Sequence, residues 1–202
     1  IALVSGTMHI RRLFLAICSI SFFWAIGAVL IIEFPPLVKN VLTADEQVAS
    51  LFLAIFSVGV AIGSLMINRL LRGTVSARYA PAAVIAMGGF VLLLHFVAKQ
   101  WVGDDAGELY DLWAFVGHDG APMLILSLFG VAVSGGMFVV PLYAFLTTTV
   151  GAGETARTVA ANNIVNSGAM VIGSLVAFGL SAINVSAVDQ LLLVSAMCIV
   201  SA

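Results

Sequence analysis

Six long apolar runs follow one another along this chain and constrain its fold more than any other feature. A helix needs about 20 apolar residues to cross a hydrocarbon core roughly 30 Å thick, and only helices or closed barrels satisfy their backbone groups there. These runs are too long for barrel strands, so the sequence predicts an all-α, polytopic membrane bundle. Five runs are complete and the sixth is truncated; they extend over residues 13–34, 48–71, 81–98, 122–150, 158–183 and 191–202.

Composition leads to the same class of protein. Hydrophobic residues make up 62% of the chain and charged residues only 9%, whereas soluble domains are about 25% charged. We therefore interpret residues 1–202 as one transmembrane domain surrounded by membrane lipid, cut from a longer polypeptide. The net charge of −2 gives no indication of a nucleic-acid partner.

The charged residues divide between the two sides of the predicted bundle. One side holds six of the eight basic residues, namely Arg11, Arg12, Arg69, Arg72, Arg78 and Arg157, and nine of the ten acids fall on the other. Cytoplasmic loops of membrane proteins carry an excess of Lys and Arg. We therefore expect a cytoplasmic N-terminus, five complete crossings and a sixth helix that is cut off.

The longest connection, residues 101–120, is predicted to form an amphipathic helix lying in the outer interface. Its apolar face is Leu109, Leu112, Trp113 and Val116, and its acidic face is Asp104, Glu108 and Asp111. Apolar residues at this helical spacing, with aromatic residues among them, are typical of a helix at headgroup depth.

The second apolar run carries small residues on two faces. One face pairs Gly59 with Gly63, which favours close helix packing. The other, here called the small-residue face, consists of Ser50, Ala54, Ser57, Ala61, Ser64 and Asn68. This second face suits either further helix packing or the wall of a cavity.

Polar residues interrupt the fourth and fifth runs. Pro141 removes a backbone donor and predicts a kink near Met137, which acts either as a hinge or as a fixed bend. Tyr143 beyond it is a pathway residue or an interfacial anchor. Asn162 and Asn166 share a face of the fifth helix, and Asn166 lies about 12 Å along it.

Amide groups at that depth must face protein or water, because lipid offers them no hydrogen-bond partner. Hydrogen bonds between membrane helices contribute only about 0.6 kcal/mol on average. Three asparagines within five residues, Asn162, Asn163 and Asn166, therefore favour the wall of a polar pathway over helix packing alone. Both interpretations remain open at this point.

No group of residues indicates an enzyme, a cofactor site or a metal site. Glu33 and His95 are ionisable groups near the ends of their runs; either could bind a proton or a substrate charge, but a side chain in such a position usually just reaches water. Cys18 and Cys198 lie in apolar runs and are expected to be inert thiols. None of the three histidines has an aspartate five residues later, as the His-x-x-x-x-Asp motif of glycerolipid acyltransferases requires.

Several short motifs resemble the second half of a major facilitator superfamily transporter. Six helices begin after residues 9–12 (HIRR), and residues 63–73 (GSLMINRLLRG) are similar to the superfamily's loop motif, with Asn68 at its usual acidic position. Other motifs resemble the seventh, tenth and eleventh helices of bacterial lysophospholipid transporters. They are residues 21–28 (SFFWAIGA), 34–35 (FP), 39–40 (KN), 135–142 (GGMFVVPL), 150–153 (VGAG) and 161–170 (ANNIVNSGAM).

This resemblance implies a fold, a function and partners. The chain would be the C-terminal six-helix half of a transporter that works by alternating access against an N-terminal half. It would move lysophospholipid, typically lysophosphatidylethanolamine, to the inner leaflet of a bacterial inner (plasma) membrane for re-acylation. A fused or adjacent acyltransferase and acyl-carrier-protein ligase are implied partners, whose domains lie outside these residues.

Substrate is bound between such halves near the membrane midplane. The candidate substrate-binding residues are Asn162, Asn163 and Asn166, with Tyr143, Ser57 and Trp24 behind them. Two alternatives compete with this interpretation. One is export of a small drug or metabolite by a protein of the same superfamily. The other is a membrane module of a fused acyltransferase that has no transport activity of its own.

Overall fold

The structure is a computed structural model that describes residues 11–102, 109–151 and 153–202. Its helices are α1 (Arg11–Pro36), α2 (Glu46–Leu71), α3 (Ala80–Lys99), α4 (Leu112–Gly117), α5 (Ala121–Thr148), α6 (Thr155–Ala182) and α7 (Ala187–Val200). Five helices in these ranges, α1, α2, α3, α5 and α6, are long and apolar enough to cross a membrane. The predicted all-α membrane bundle is therefore confirmed, and each predicted run lies within a few residues of a helix.

Short connections give the bundle two chemically different ends. The end that we call the basic end carries Arg12, Arg69, Arg72, Arg78 and Arg157, where α1, α3 and α6 begin and α2 ends. The opposite end, called the acidic end, carries Asp45, Glu46, Asp111, Asp119 and Asp189. An ion pair of 3.6 Å between Lys99 Nζ and Asp189 Oδ1 joins α3 to α7 at the acidic end.

At the acidic end α1 continues beyond its two prolines. Pro35 and Pro36 lie inside the helix, and a π-helical turn (Leu37–Val41) follows them. The turn ends before Asp45, whose carboxylate accepts from the backbone N–H of Gln47 at 2.9 Å and of Val48 at 3.2 Å. An aspartate in this position satisfies donors that the first turn of a helix leaves free, and it fixes where α2 begins.

The helix α5 lies at the centre of the bundle and packs against α1, α2 and α3, while α6 packs on α1 and α7 on α3. Glycines allow the α2–α5 contact. A side chain at Gly63 would overlap the backbone of Val133, and one at Gly136 would overlap the Val60 carbonyl oxygen. Packing through Gly59 and Gly63 is therefore confirmed, because small residues let the two backbones touch.

The small-residue face of α2 is largely uncovered in the described part of the chain. All its members are exposed except Ser64, which is half-buried and borders Gly136 of α5. Of the two interpretations of this face, packing against another helix is observed within these residues only at Ser64. Gly59 and Gly63 lie on the side of α2 that contacts α5. The small-residue face lies on the opposite side, which is largely open.

The connection before α5 also differs from the prediction. Among its described residues a helix forms only over Leu112–Gly117, capped by the Asp111 carboxylate, which accepts from Ala114 N at 2.8 Å. Asp104 and Glu108 of the predicted acidic face lie outside the described residues. Phe115 is fully buried and stacks on Trp101, whereas Trp113 is 81% exposed. Phe115 thus anchors this connection to the bundle, a role that the helical pattern did not predict.

Candidate functional site

Four of the predicted site residues meet in one hydrogen-bonded group between α1, α5 and α6. The hydroxyl oxygen of Tyr143 accepts from Trp24 Nε1 at 2.9 Å and from Asn166 Nδ2 at 3.1 Å. Asn162 Nδ2 approaches the same oxygen at 3.5 Å. A fifth member, Ser21, donates its hydroxyl hydrogen to Asn166 Oδ1 at 2.7 Å. We call these five residues the polar cluster.

Ser21 was not among the predicted residues, although the sequence holds a signal for it. It precedes Trp24 by three positions, so the two side chains lie on the same face of α1. A hydroxyl in an otherwise apolar stretch of a membrane helix bonds either to a carbonyl of its own helix or to a group on a neighbouring helix. Its partner, Asn166, lies 145 residues away, and this long-range contact is the part that no local pattern predicts.

Small residues bring the three helices close enough for these bonds. Gly135 of α5 lies against the Phe23 ring, where an added Cβ would approach within 2.9 Å. Gly173 of α6 faces the Ala25 carbonyl oxygen, which an added Cβ would approach within 3.1 Å. Because α1 touches both helices at these glycines, Trp24 reaches across to Tyr143 and Ser21 reaches Asn166.

The polar cluster has a buried floor and an accessible edge. Asn162, Asn166 and Ser21 are 0%, 6% and 4% exposed, whereas Trp24 is 39% exposed and Tyr143 is half-buried. A ligand that approaches from outside the bundle therefore meets the indole and the phenol first, with the asparagine amides behind them.

The hydrogen bonding of this group is not balanced. Three N–H donors converge on the Tyr143 oxygen, which has only two lone pairs. The carbonyl oxygen of Asn162 is buried and has no hydrogen-bond partner among the described residues. The cluster therefore retains one surplus N–H donor, the hydroxyl hydrogen of Tyr143 and one unused acceptor, which is unusual for buried polar groups and leaves it able to bind a polar ligand.

Two predicted site residues lie elsewhere. Asn163 neighbours Asn162 in sequence but is exposed on another side of α6. The backbone carbonyl oxygen of Asn163 accepts from Ser167 Oγ at 2.9 Å. Ser57 is exposed on the small-residue face of α2, and its hydroxyl is bonded to the Leu53 carbonyl oxygen at 2.8 Å. Neither joins the polar cluster, so both can meet only a ligand or partner on the open faces of the bundle.

A separate apolar groove lies between α1, α6 and α7. Its volume is about 390 Å³, and α7 closes one side of it. Its lining residues are apolar and are Phe22, Ala25, Val29, Ala169, Ile172, Gly173, Val176, Leu193 and Met197. Ala25 directly follows Trp24, and Ala169 lies one turn beyond Asn166. A polar site and an apolar groove thus share the α1–α6 boundary.

Both ionisable groups that were expected to reach water are buried instead. Glu33 is 3% exposed and His95 is 2% exposed. His95 Nδ1 lies 2.7 Å from the Val188 carbonyl oxygen, so this histidine joins α3 to the first turn of α7. That expectation was wrong because α7 packs over the ends of α1 and α3 and shields these side chains.

Comparisons of this chain with protein-family models, with curated proteins and with solved structures found no match.

Proposed function

We propose that this chain is the C-terminal six-helix half of a major facilitator transporter, and that it moves lysophospholipid between membrane leaflets. The observation that carries the proposal is that α1 and α6 contribute both to the polar cluster and to an apolar groove of about 390 Å³. A lysophospholipid has one polar headgroup and one acyl chain, so it needs these two environments side by side. Ligand sites commonly have volumes of about 300–1,000 Å³.

The chemistry of the polar cluster suits the headgroup. Its surplus N–H donor matches the acceptor oxygens of a phosphate or of glycerol, and the unused Asn162 carbonyl oxygen accepts from a hydroxyl or an ammonium group. Trp24 and Tyr143 form the accessible edge, where an aromatic ring can cover the ligand and keep water away.

The open faces of α2 and α6 support a second half as partner. Asn163 is an exposed amide on an apolar helix, and Ser57 and Asn68 are exposed on α2. An amide that faces lipid lacks hydrogen-bond partners, which costs several kcal/mol on scales of transfer to hydrocarbon. Water in a pathway, or the helices of an N-terminal half, would remove this cost. We place this assembly in a bacterial inner membrane, with its basic end in the cytoplasm and an acyltransferase fused to it or acting beside it.

The test is uptake of labelled lysophosphatidylethanolamine by vesicles that carry the intact protein. Uptake above that of empty vesicles is expected. Asn162→Ala removes the unused acceptor and should lower uptake about threefold to tenfold, the equivalent of one hydrogen bond. Asn40→Ala, an exposed amide on the π-helical turn, should leave uptake unchanged.

Two tryptophan variants provide a second test with a matched control. Trp24→Ala should lower uptake, whereas Trp113→Ala removes an indole that is 81% exposed on α4 and should have no effect. No uptake by the unaltered protein would remove the lysophospholipid proposal and favour the drug-export or membrane-module alternatives. Uptake that is insensitive to both Asn162→Ala and Trp24→Ala would remove the polar cluster as its site.

A further inference from the structure

Glu33 lies in a second polar group at the acidic end of the bundle, separate from the polar cluster. Its carboxyl group is buried and borders a cleft of about 490 Å³ between α1 and α6. Ser181 of α6 lines the same cleft, and Gln190 of α7, which is 1% exposed, lies against both residues. Three helices therefore contribute one polar side chain each to this group.

Within the described ranges Glu33 has no salt-bridge partner. The charged groups of the elements around it are engaged elsewhere or lie on other surfaces. Asp189 of α7 pairs with Lys99, and His95 is bonded to Val188. Lys39, Asp45 and Glu46 line a different cleft beside Pro35.

The two remaining neighbours, α5 and α6, bring no ionisable side chain to this end. Their ionisable residues, Tyr143 and Arg157, lie towards the basic end. A carboxylate without a counter-ion is costly to bury, whereas a neutral carboxyl group needs only hydrogen bonds.

The side-chain amide of Gln190 can serve either protonation state of Glu33. In one orientation its nitrogen donates to Glu33 Oε1 at 3.2 Å and to the Ala177 carbonyl oxygen at 3.3 Å, while its oxygen accepts from Ser181 Oγ at 2.9 Å. This orientation suits an ionised Glu33, which can only accept, and it also suits a protonated one, whose unprotonated oxygen still accepts.

In the other orientation the amide nitrogen donates to Ser181 Oγ at 2.9 Å and reaches the Val185 carbonyl oxygen at 3.4 Å. The amide oxygen then faces Glu33, and this contact becomes a hydrogen bond only when the carboxyl group carries a proton to donate. The first orientation therefore serves both protonation states of Glu33, whereas the second forms a hydrogen bond to Glu33 only in its protonated state.

We propose that Glu33 is a proton-binding site, whose carboxyl group the Gln190 amide can hydrogen-bond in both protonation states. The proton comes from water that reaches the cleft and returns there, and no other bond is made or broken. Because the three side chains come from α1, α6 and α7, proton binding changes the contact that holds these helices together at the acidic end. The inference does not depend on lysophospholipid being the substrate.

Infrared difference spectra of the purified full-length protein, recorded across a pH series, test this site directly. The expected result is a carbonyl band of a protonated, buried carboxyl group that appears on acidification and is absent in Glu33→Gln. Glu46→Gln removes an exposed carboxylate from the same end and should leave that band in place. A spectrum in which Glu33→Gln removes no titrating carboxyl band would overturn the proposal.

Gln190→Leu provides a second variant that keeps Glu33. This variant removes the Gln190 hydrogen bond to Glu33 in both protonation states. Hydrogen bonds to charged groups are about twice as strong as those between neutral groups. The ionised form therefore loses more, and the band should change frequency and persist to a pH about one unit higher. An unchanged band in Gln190→Leu would overturn the role of the amide. Both readouts are independent of transport, so failed uptake leaves this inference standing.

Discussion

Tyr143 joins three helices through a single oxygen atom. It belongs to α5, and the donors that it accepts come from Trp24 on α1 and from Asn162 and Asn166 on α6. In lipid no water replaces a lost partner, so the three donors depend on this hydroxyl. Membrane proteins recover part of such losses by repacking, which is why a single bond between helices averages only about 0.6 kcal/mol.

Tyr143→Phe should therefore lower the stability of the bundle by about 1–2 kcal/mol, the sum of two or three such bonds. The measurement is the midpoint of thermal unfolding in detergent. Tyr79→Phe is the matched control, since Tyr79 lies at the basic end under the Arg78 guanidinium and no hydrogen bond of its hydroxyl is found among the described residues. Equal midpoints for the two variants would contradict the account of the polar cluster.

Residue type and depth were enough to select Trp24, Tyr143, Asn162 and Asn166 from the sequence. They were not enough to separate Asn162 from Asn163, which differ only by a rotation of about 100° around the helix. Which of these faces meets α1 depends on long-range packing at Gly173, and the sequence carries no local sign of it. The burial of Glu33 escaped prediction for the same reason, because the residue that covers it, Gln190, belongs to a distant helix.

At the scale of helices, α2 and α5 form the tightest glycine-dependent contact in the described bundle, because an added Cβ at Gly63 would overlap the Val133 backbone most severely. Gly59 and Gly63 of α2 meet α5 beside Ala132 and Val133, and Gly136 of α5 meets α2 beside Val60. Backbones in direct contact gain van der Waals packing, which replaces the hydrophobic drive that lipid removes. A methyl group inserted at Gly63 or Gly136 has no space, and the nearest atoms that it would meet there belong to the backbone.

Gly63→Ala should consequently separate α2 from α5 and cost about 1–3 kcal/mol, the usual cost of overpacking. Gly89→Ala on α3 is the control, because an added Cβ meets nothing within 4 Å there. Removing a flexible glycine from a helix should stabilise that variant by about 0.5–1 kcal/mol. Thermal unfolding of both variants in detergent measures the opposite signs. A Gly63→Ala protein as stable as Gly89→Ala would show that the two helices do not touch at this position.

Helix positions were the most predictable part of the fold, because membrane spans follow directly from the length of an apolar run. The predicted run 48–71 and the observed helix Glu46–Leu71 differ by two residues at one end. The lengths of two elements were predicted wrongly, for physical reasons. Prolines usually end a helix, yet Pro35 and Pro36 are followed by a π-helical turn that extends the span to Val41. The amphipathic pattern around Trp113 overestimated α4, whose position depends on the burial of Phe115.

At the scale of the whole molecule, the bundle has closed sides and open sides. The helix α5 is buried by its neighbours, whereas α2 and α6 bury the smallest shares of their apolar stretches. The open sides are also where exposed polar groups occur within membrane-spanning helices, at Ser57 on α2 and at Asn163 on α6. Lipid-facing surfaces exclude such amides, so under the proposed function the open sides would face the pathway and the other sides would face lipid.

The claim that this bundle forms one wall of a solute pathway is tested most directly by the water accessibility of its open faces. Single cysteines at Ser57 and Asn163 would be introduced into the intact protein after Cys18, Cys198 and any other native cysteines are replaced. They would then be labelled in native membranes with a water-soluble maleimide. Ile85, 55% exposed on α3 and apolar, provides the lipid-facing comparison. The account predicts labelling of Ser57→Cys and Asn163→Cys, reduced by added lysophospholipid, and no labelling of Ile85→Cys. Labelling of neither open-face position, or equal labelling of all three, would contradict it.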